Sequence, residues 1–131
     1  MHLVVCIDKE GGMMYNRRRQ SRDRIMMEDL AAHLRGCKIV VSPYSEELFL
    51  DKGINYSVGD PSLAGEDEYA FIEDGALPDP ESVSELILYN WCTLYPSDRK
   101  FDMDISALKR ISKQKFAGYS HGKITKEVFK R

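Results

Sequence analysis

Arg17, Arg18, Arg19, Arg22 and Arg24 fall within eight consecutive positions, with Asn16, Gln20 and Ser21 beside them and Asp23 the only acid among them. The chain as a whole carries a formal charge of −2, so this positive charge is a local feature. A guanidinium offers N–H donors in a rigid fork that matches a carboxylate or phosphate in two-pronged fashion. The run therefore points to an anion: a nucleotide, a phosphorylated metabolite or an RNA backbone. The plain alternative is a solvated helix start whose arginines pair with Asp23, Glu28 and Glu10. Against it, exposed cations at a helix N-terminus oppose the macrodipole by about 0.3–1 kcal/mol each. No aromatic stacking motif accompanies the arginines, so they do not by themselves specify nucleic acid.

A second group is Ser120-His121, set between Gly118 and Gly122. Adjacency in sequence does not make a catalytic pair, because triad members meet in space. Asp98, Asp102 and Asp104 are acids near enough in sequence to orient His121. The favoured reading is a glycine-flanked turn in which both side chains bond to the backbone; the functional one is His121 contacting a phosphate alongside the arginines. Asp98, Asp102, Asp104 and Glu127 lack the spacing of a calcium loop, so no metal is expected. Cys6, Cys37 and Cys92 are far apart with no CxxC spacing, which disfavours zinc and suggests buried, reduced thiols. Tyr15, Tyr44, Trp91 and Tyr95 can line a flat-ligand pocket, but aromatic residues more often fill a core. Trp91 is read as core-facing.

These residues need elements to hold them. His2 to Ile7 is short, β-branched and stopped by Gly11-Gly12, which reads as a buried strand followed by a loop through Asn16. Ile25, Met26, Met27, Leu30, Ala31 and Leu34 recur at helical spacing and predict a helix from about Ser21 to Arg35, with Ser21 as cap and Gly36 at its end. Lys38 to Ser42 is a second strand, and Pro43 suits the first turn of a short helix over Tyr44 to Leu50. Weaker strands follow at 54–58 and 69–72, then a proline-broken acidic loop over 73–82. Leu86 to Cys92 is the strongest strand in the second half. Leu108 to Phe116 is mixed. Lys123 to Lys130 alternates as a strand with one wet face, placed at an edge. Strands and helices that alternate early, with strands in close succession late, imply an α/β sheet ending in an antiparallel pair.

At 131 residues the chain is expected to form one domain spanning 1–131. No apolar run approaches the roughly 20 residues that span a bilayer. MHLVVCID lacks the basic start and cleavage site of a secretory signal, so the expected location is the cytoplasm.

The segment LILYNWCTLYPSDRKFDMDISALKRISKQKFAGYSHGKITKEVFKR, residues 86 to 131, resembles the C-terminal portion of dihydrofolate reductases. Asp98-Arg-Lys-Phe101, Leu108 to Ser112 and Ile124 to Arg131 stand where that family has D-x-x-F, W-x-x-x-S and Y-x-F-x-x-x-x-R. LVVCIDKEGG resembles the family's opening strand and the loop over its active site, and residues 26 to 48 resemble its helix, strand and next helix start. The resemblance implies a dihydrofolate reductase-like mixed sheet with two or three flanking helices. It also implies a pterin-binding carboxylate at Asp29 or Glu28, and NADPH as a possible cofactor. Ser42-Pro43-Tyr44-Ser45 stands where the family has the cofactor-gripping G-R-x-T, without its arginine, and Glu73-Asp74-Gly75 replaces the glycine turn at the pyrophosphate. Carboxylates there repel a diphosphate. The chain also resembles short bacterial proteins of unassigned function that carry N-R-R-Q-S-x-D-R and F-A-G-x-S-H-x-K-I-T-K-E, some labelled ribonuclease Z; the H-x-H-x-D-H site of that enzyme is missing.

The expectation is therefore a cytoplasmic dihydrofolate reductase-like domain that binds a small anionic ligand. Asn16, Arg17, Arg18, Arg19, Gln20, Arg22 and Arg24 would be contacts, Ser42, Tyr44 and Ser45 the remnant of a cofactor site, and Asp29, Glu28 and His121 the catalytic candidates. The alternatives are a residual NADPH-dependent reductase and an RNA- or protein-interaction module.

Overall fold

A computed structural model describes all 131 residues, Met1–Arg131. Strand β1, His2–Ile7, lies in the middle of a seven-stranded sheet because its residues are apolar on both faces. It pairs in parallel with β6, Tyr69–Phe71, on one side and with β7, Glu85–Asn90, on the other. Beyond β6 the sheet continues in parallel through β4, Ile39–Val41, to β5, Tyr56–Val58, at one edge. Beyond β7 it turns antiparallel through β10, Ile124–Lys130, to β9, Lys109–Phe116, at the other edge. The expected antiparallel ending is thus present, with its order corrected: Lys123 to Lys130 forms an inner strand, and the lysine-rich β9 is the edge. Lysines on an edge strand blunt pairing with other chains.

Alternate residues of the strands face two cores. Val4, Val41, Phe71, Ile87 and Tyr89 pack under helix α1, Arg24–Leu34, which buries Met26, Met27, Leu30 and Leu34. Leu3, Val5, Ala70, Leu86 and Leu88 pack on the opposite face with Met1, Met13, Met14 and Val83. The helix starts later than its sequence suggests. Asp23, not Ser21, is the cap, accepting from the N–H groups of Ile25 and Met26. It ends on Arg35 in the left-handed region (φ 50°), followed by Gly36 at φ 83°. The short helix expected over Tyr44 to Leu50 is a single 3₁₀ turn, Glu46–Leu48, so α1 is the only α-helix. No helix is long and apolar enough to cross a membrane.

The segment expected to be a loop before Asn16 is a strand, β2, Gly12–Tyr15. It turns back through Asn16 and Arg17, both at positive φ (51° and 60°), into β3, Arg18–Arg19. Two left-handed central residues make the tight hairpin whose twist suits the flanking strands. The short strand β8, Arg99–Lys100, pairs with the other side of β2 and completes a small second sheet. The arginine run is therefore a hairpin arm and a linker into α1, and only Arg24 lies in the helix itself.

Candidate functional site

Two buried carboxylates organise the ground around the hairpin. Asp8, at the end of β1, accepts from the backbone N–H groups of Glu10, Gly12 and Tyr95 and from Gln20 Nε2. Burial pushes its carboxyl up, but these four donors outweigh burial and hold it below its ordinary value. Asp23 is the second. Besides capping α1, it accepts from the N–H groups of Tyr119 and Ser120 and lies 3.0 Å from His121 Nδ1. Burial again opposes ionisation, and the bonds from Tyr119, His121, Ser120 and Met26 overcome it, drawing Asp23 down to about 2. Both sites depend on a missing side chain. A Cβ on Gly12 would stand 2.6 Å from Asp8 Oδ2, and one on Gly118 would stand 2.5 Å from Asp23 Oδ2.

His121 is buried, stacked on the Trp91 indole at 4.5 Å between ring centres and 18° between planes. Its Nε2 is 2.8 Å from Ser21 Oγ and 2.9 Å from Tyr95 Oη. The 117–122 segment is thereby tied to the start of α1. Ser120, its neighbour, is exposed and contributes its backbone N–H.

Between β1, the hairpin and α1 lies a narrow cleft of about 20 Å³, room for about one water, floored by Cys6, Met26, Phe71 and Trp91 and walled by Arg19, Gln20, Ser21 and Arg22. Burial, then the nearby Glu73, pushes the Cys6 thiol well up, so it stays protonated. Gln20 Oε1 is buried here without a hydrogen-bond partner. A wider hollow of about 340 Å³ adjoins the cleft, sharing Arg22, Asp23, Met27 and Leu48 with it and adding Arg24, Lys52 and Tyr119. Small-molecule sites commonly occupy about 300–1,000 Å³, a range that the hollow enters and the cleft does not. The Arg24 guanidinium lies over the Tyr119 ring at 4.3 Å and makes a long contact of 3.9 Å with Glu28. Arg22 and Lys52 belong to no ion pair.

Arg19 is in a different position. Its guanidinium grips Glu73 through two bonds of 3.0 and 2.8 Å and also bonds Glu47, while stacking on Tyr44 at 4.8 Å. The first of these acids is buried with it. These carboxylates raise the guanidinium's affinity for its proton despite burial. The same Glu73 accepts from Ser45 Oγ at 2.6 Å, and Asp74 accepts from Ser42 Oγ at 2.8 Å. Tyr44 Oη accepts from the Arg19 N–H. Ser42, Tyr44, Ser45 and Arg19 do converge on one corner, and the protein's own carboxylates already fill it.

The remaining candidates stand apart from the cleft. Arg17 and Arg18 are exposed on the hairpin and line neither concavity, and Asn16 donates its N–H to Asp98. Asp29 faces the sheet under α1, accepting from Tyr89 Oη at 2.6 Å and pairing with Lys126 at 2.9 Å. Glu28 is exposed beside Arg24. The carboxylate that α1 brings to the cleft is Asp23. Asp23 is not legible in the sequence as an orienting group because its partner His121 is 98 residues away. Its one signal was its place two residues before the first apolar position of the helix. Of the three thiols expected to be buried, Cys37 is exposed and Cys6 and Cys92 are half-buried; all three are free.

No family model matches the chain, and no curated protein matches it. Among solved structures it is similar to a dihydrofolate reductase from Enterococcus faecalis complexed with NADP(H) and RAB-propyl, at 10% sequence identity and a TM-score of 0.66. That likeness covers 99% of this chain and 95% of the other. The fold is dihydrofolate reductase-like: a mixed sheet, parallel through its centre, with few helices and an antiparallel end.

Proposed function

We propose that the chain is a cytoplasmic binding domain for a small anionic ligand, a nucleotide or phosphorylated metabolite, held in the hollow beside α1. The observation that carries this reading is the trio Arg22, Arg24 and Lys52 around one concavity. Of the acids on that wall, Glu47 is engaged by Arg19 and Asp23 by His121 and four backbone N–H groups. The net unneutralised charge of the hollow is positive. Arg24, steadied on Tyr119, is partly ordered before any ligand arrives, which lowers the entropic cost of binding. Met27, Leu48 and Leu50 offer apolar surface for the uncharged body of the ligand.

A nicotinamide dinucleotide, which the fold suggests, does not fit the Ser42–Ser45 corner. Its diphosphate would have to displace Glu73 and Asp74 from the two serine hydroxyls and compete for Arg19. A like-charge contact near 4 Å costs about 4 kcal/mol at an effective dielectric of 20. Folate reduction is accordingly not the activity we assign.

A thermal-shift screen of nucleotides and sugar phosphates tests the reading. A ligand at 100 times its dissociation constant stabilises the folded state by about 2.7 kcal/mol, a shift of several degrees. The shift should vanish in R22A/R24A. Binding of RNA lost in R17A/R18A, with no small-anion shift, would favour an RNA-interaction module instead.

A further inference from the structure

We propose that Ser21, His121 and Asp23 form a nucleophilic centre for transfer of an acyl group to water, opening on the cleft beneath the hairpin. Asp23 Oδ2 lies 3.0 Å from His121 Nδ1, and His121 Nε2 lies 2.8 Å from Ser21 Oγ. This is the order and reach of a serine nucleophile, its base and the carboxylate that orients the base. The carboxylate is ionised, being held near 2 by its donors, so it fixes the imidazole proton on Nδ1 and leaves the Nε2 lone pair facing the hydroxyl.

The arrangement exceeds what architecture alone requires. Tyr95 Oη also lies 2.9 Å from the same Nε2. Ser21 adds a second hydroxyl there and lines the cleft. Trp91 holds the ring by stacking and shares the cleft wall. The backbone N–H groups of Arg22 and Asp23, just after Ser21, make no hydrogen bond within the chain, and such donors at a helix entry suit a developing oxyanion.

The substrate class is a small carboxylic ester that presents its carbonyl at the mouth of the cleft. Ser21 Oγ bonds to the carbonyl carbon while its proton passes to His121 Nε2. The tetrahedral intermediate collapses, the carbon–oxygen bond to the alcohol breaks, and the alcohol leaves with the proton from Nε2. Water then attacks the acyl-serine, giving a proton to Nε2. Ser21 Oγ departs and takes that proton back, releasing the carboxylic acid. Nothing is oxidised or reduced, and water is the sole co-reactant. Asp23 is a positioning residue, since it acts through His121.

An uncharged fluorophosphonate tests this independently of anion binding, because the probe needs neither Arg22 nor Arg24. Intact-mass spectrometry of the full chain should show one adduct, mapped to Ser21 and absent from S21A. Labelling should slow about 100-fold or more in H121Q, the usual worth of a general base. Nitrogen-15 spectra should place the His121 proton on Nδ1 in the wild type and shift it in D23N, which a purely structural contact does not require of a folded variant. If H121Q does not fold, S21A decides, since it leaves the Asp23–His121 contact whole: loss of p-nitrophenyl acetate hydrolysis supports the centre, and undiminished hydrolysis overturns it. Folded wild-type protein that takes no adduct at Ser21, or folded H121Q that labels as fast as the wild type, also overturns it.

Discussion

Glu73 and Arg19, 54 residues apart in the chain, meet in a two-pronged ion pair of 3.0 and 2.8 Å at the corner formed with Ser42, Tyr44 and Ser45. The pair locks the corner from inside. Glu73 also takes the Ser45 hydroxyl, so one carboxylate satisfies three donors from two segments.

Removing that carboxylate's charge should loosen the lock and expose its donors. E73Q is expected to lower stability by about 1–3 kcal/mol, the cost of a weakened buried charged contact. It should also let inorganic pyrophosphate raise the melting temperature more than it does in the wild type. Chemical denaturation with and without pyrophosphate measures both.

The glycine beside Asp23 is set by space. G118A would drive a methyl group to 2.5 Å from Asp23 Oδ2 and 2.6 Å from Ile124 Cδ1. Overpacking of this kind costs about 1–3 kcal/mol, and urea unfolding should show it. G75A, where nothing lies within 4 Å, serves as the control and should change little.

Asp23 also predicts a pH dependence. Its folded carboxyl is drawn down to about 2, below the ordinary aspartate value of about 3.9. Its stabilisation is therefore fully present above about pH 4 and is lost as the pH falls through about 2. The stability difference between the wild type and D23N should be constant from neutral pH to near 4 and shrink below that. Urea midpoints across pH 2–7 give the comparison.

Arg17 is placed by the turn. At φ 60° it occupies a conformation that costs a non-glycine residue about 1–2 kcal/mol. R17G should raise stability by about 0.5–1 kcal/mol, after the greater chain entropy of glycine, and leave any ligand affinity untouched. Thermal melts with and without the ligand separate the two effects.

Much of the fold was legible in the sequence. β1, β4 and β7 announce themselves as short β-branched or apolar runs, and α1 by the spacing of Met26, Leu30 and Leu34. The β2–β3 hairpin did not, because Asn16-Arg17 lacks the glycine that usually marks a left-handed turn. Residues 44–50 formed only a 3₁₀ turn, since Leu48 and Phe49 bury themselves at once and Asp51 and Gly53, at positive φ, follow closely. β10 reads as an edge from its alternation, yet Lys126 is buried against Asp29, a pairing no local pattern reveals. The site was legible in its arginines. Which of them are neutralised depends on Glu73 and Glu47, and the partner of His121 depends on a contact across most of the chain.

Arg22 and Arg24 are the cations expected to capture an anion. Titration calorimetry of ADP at low salt, on the wild type, R22A/R24A and R17A/R18A, measures this most directly. The expected result is binding by the wild type and R17A/R18A with similar affinity, and at least about a 10-fold loss in R22A/R24A, since a charge-assisted bond contributes roughly 1.5–3 kcal/mol. Equal affinity in all three proteins, or no heat of binding in the wild type, would contradict it.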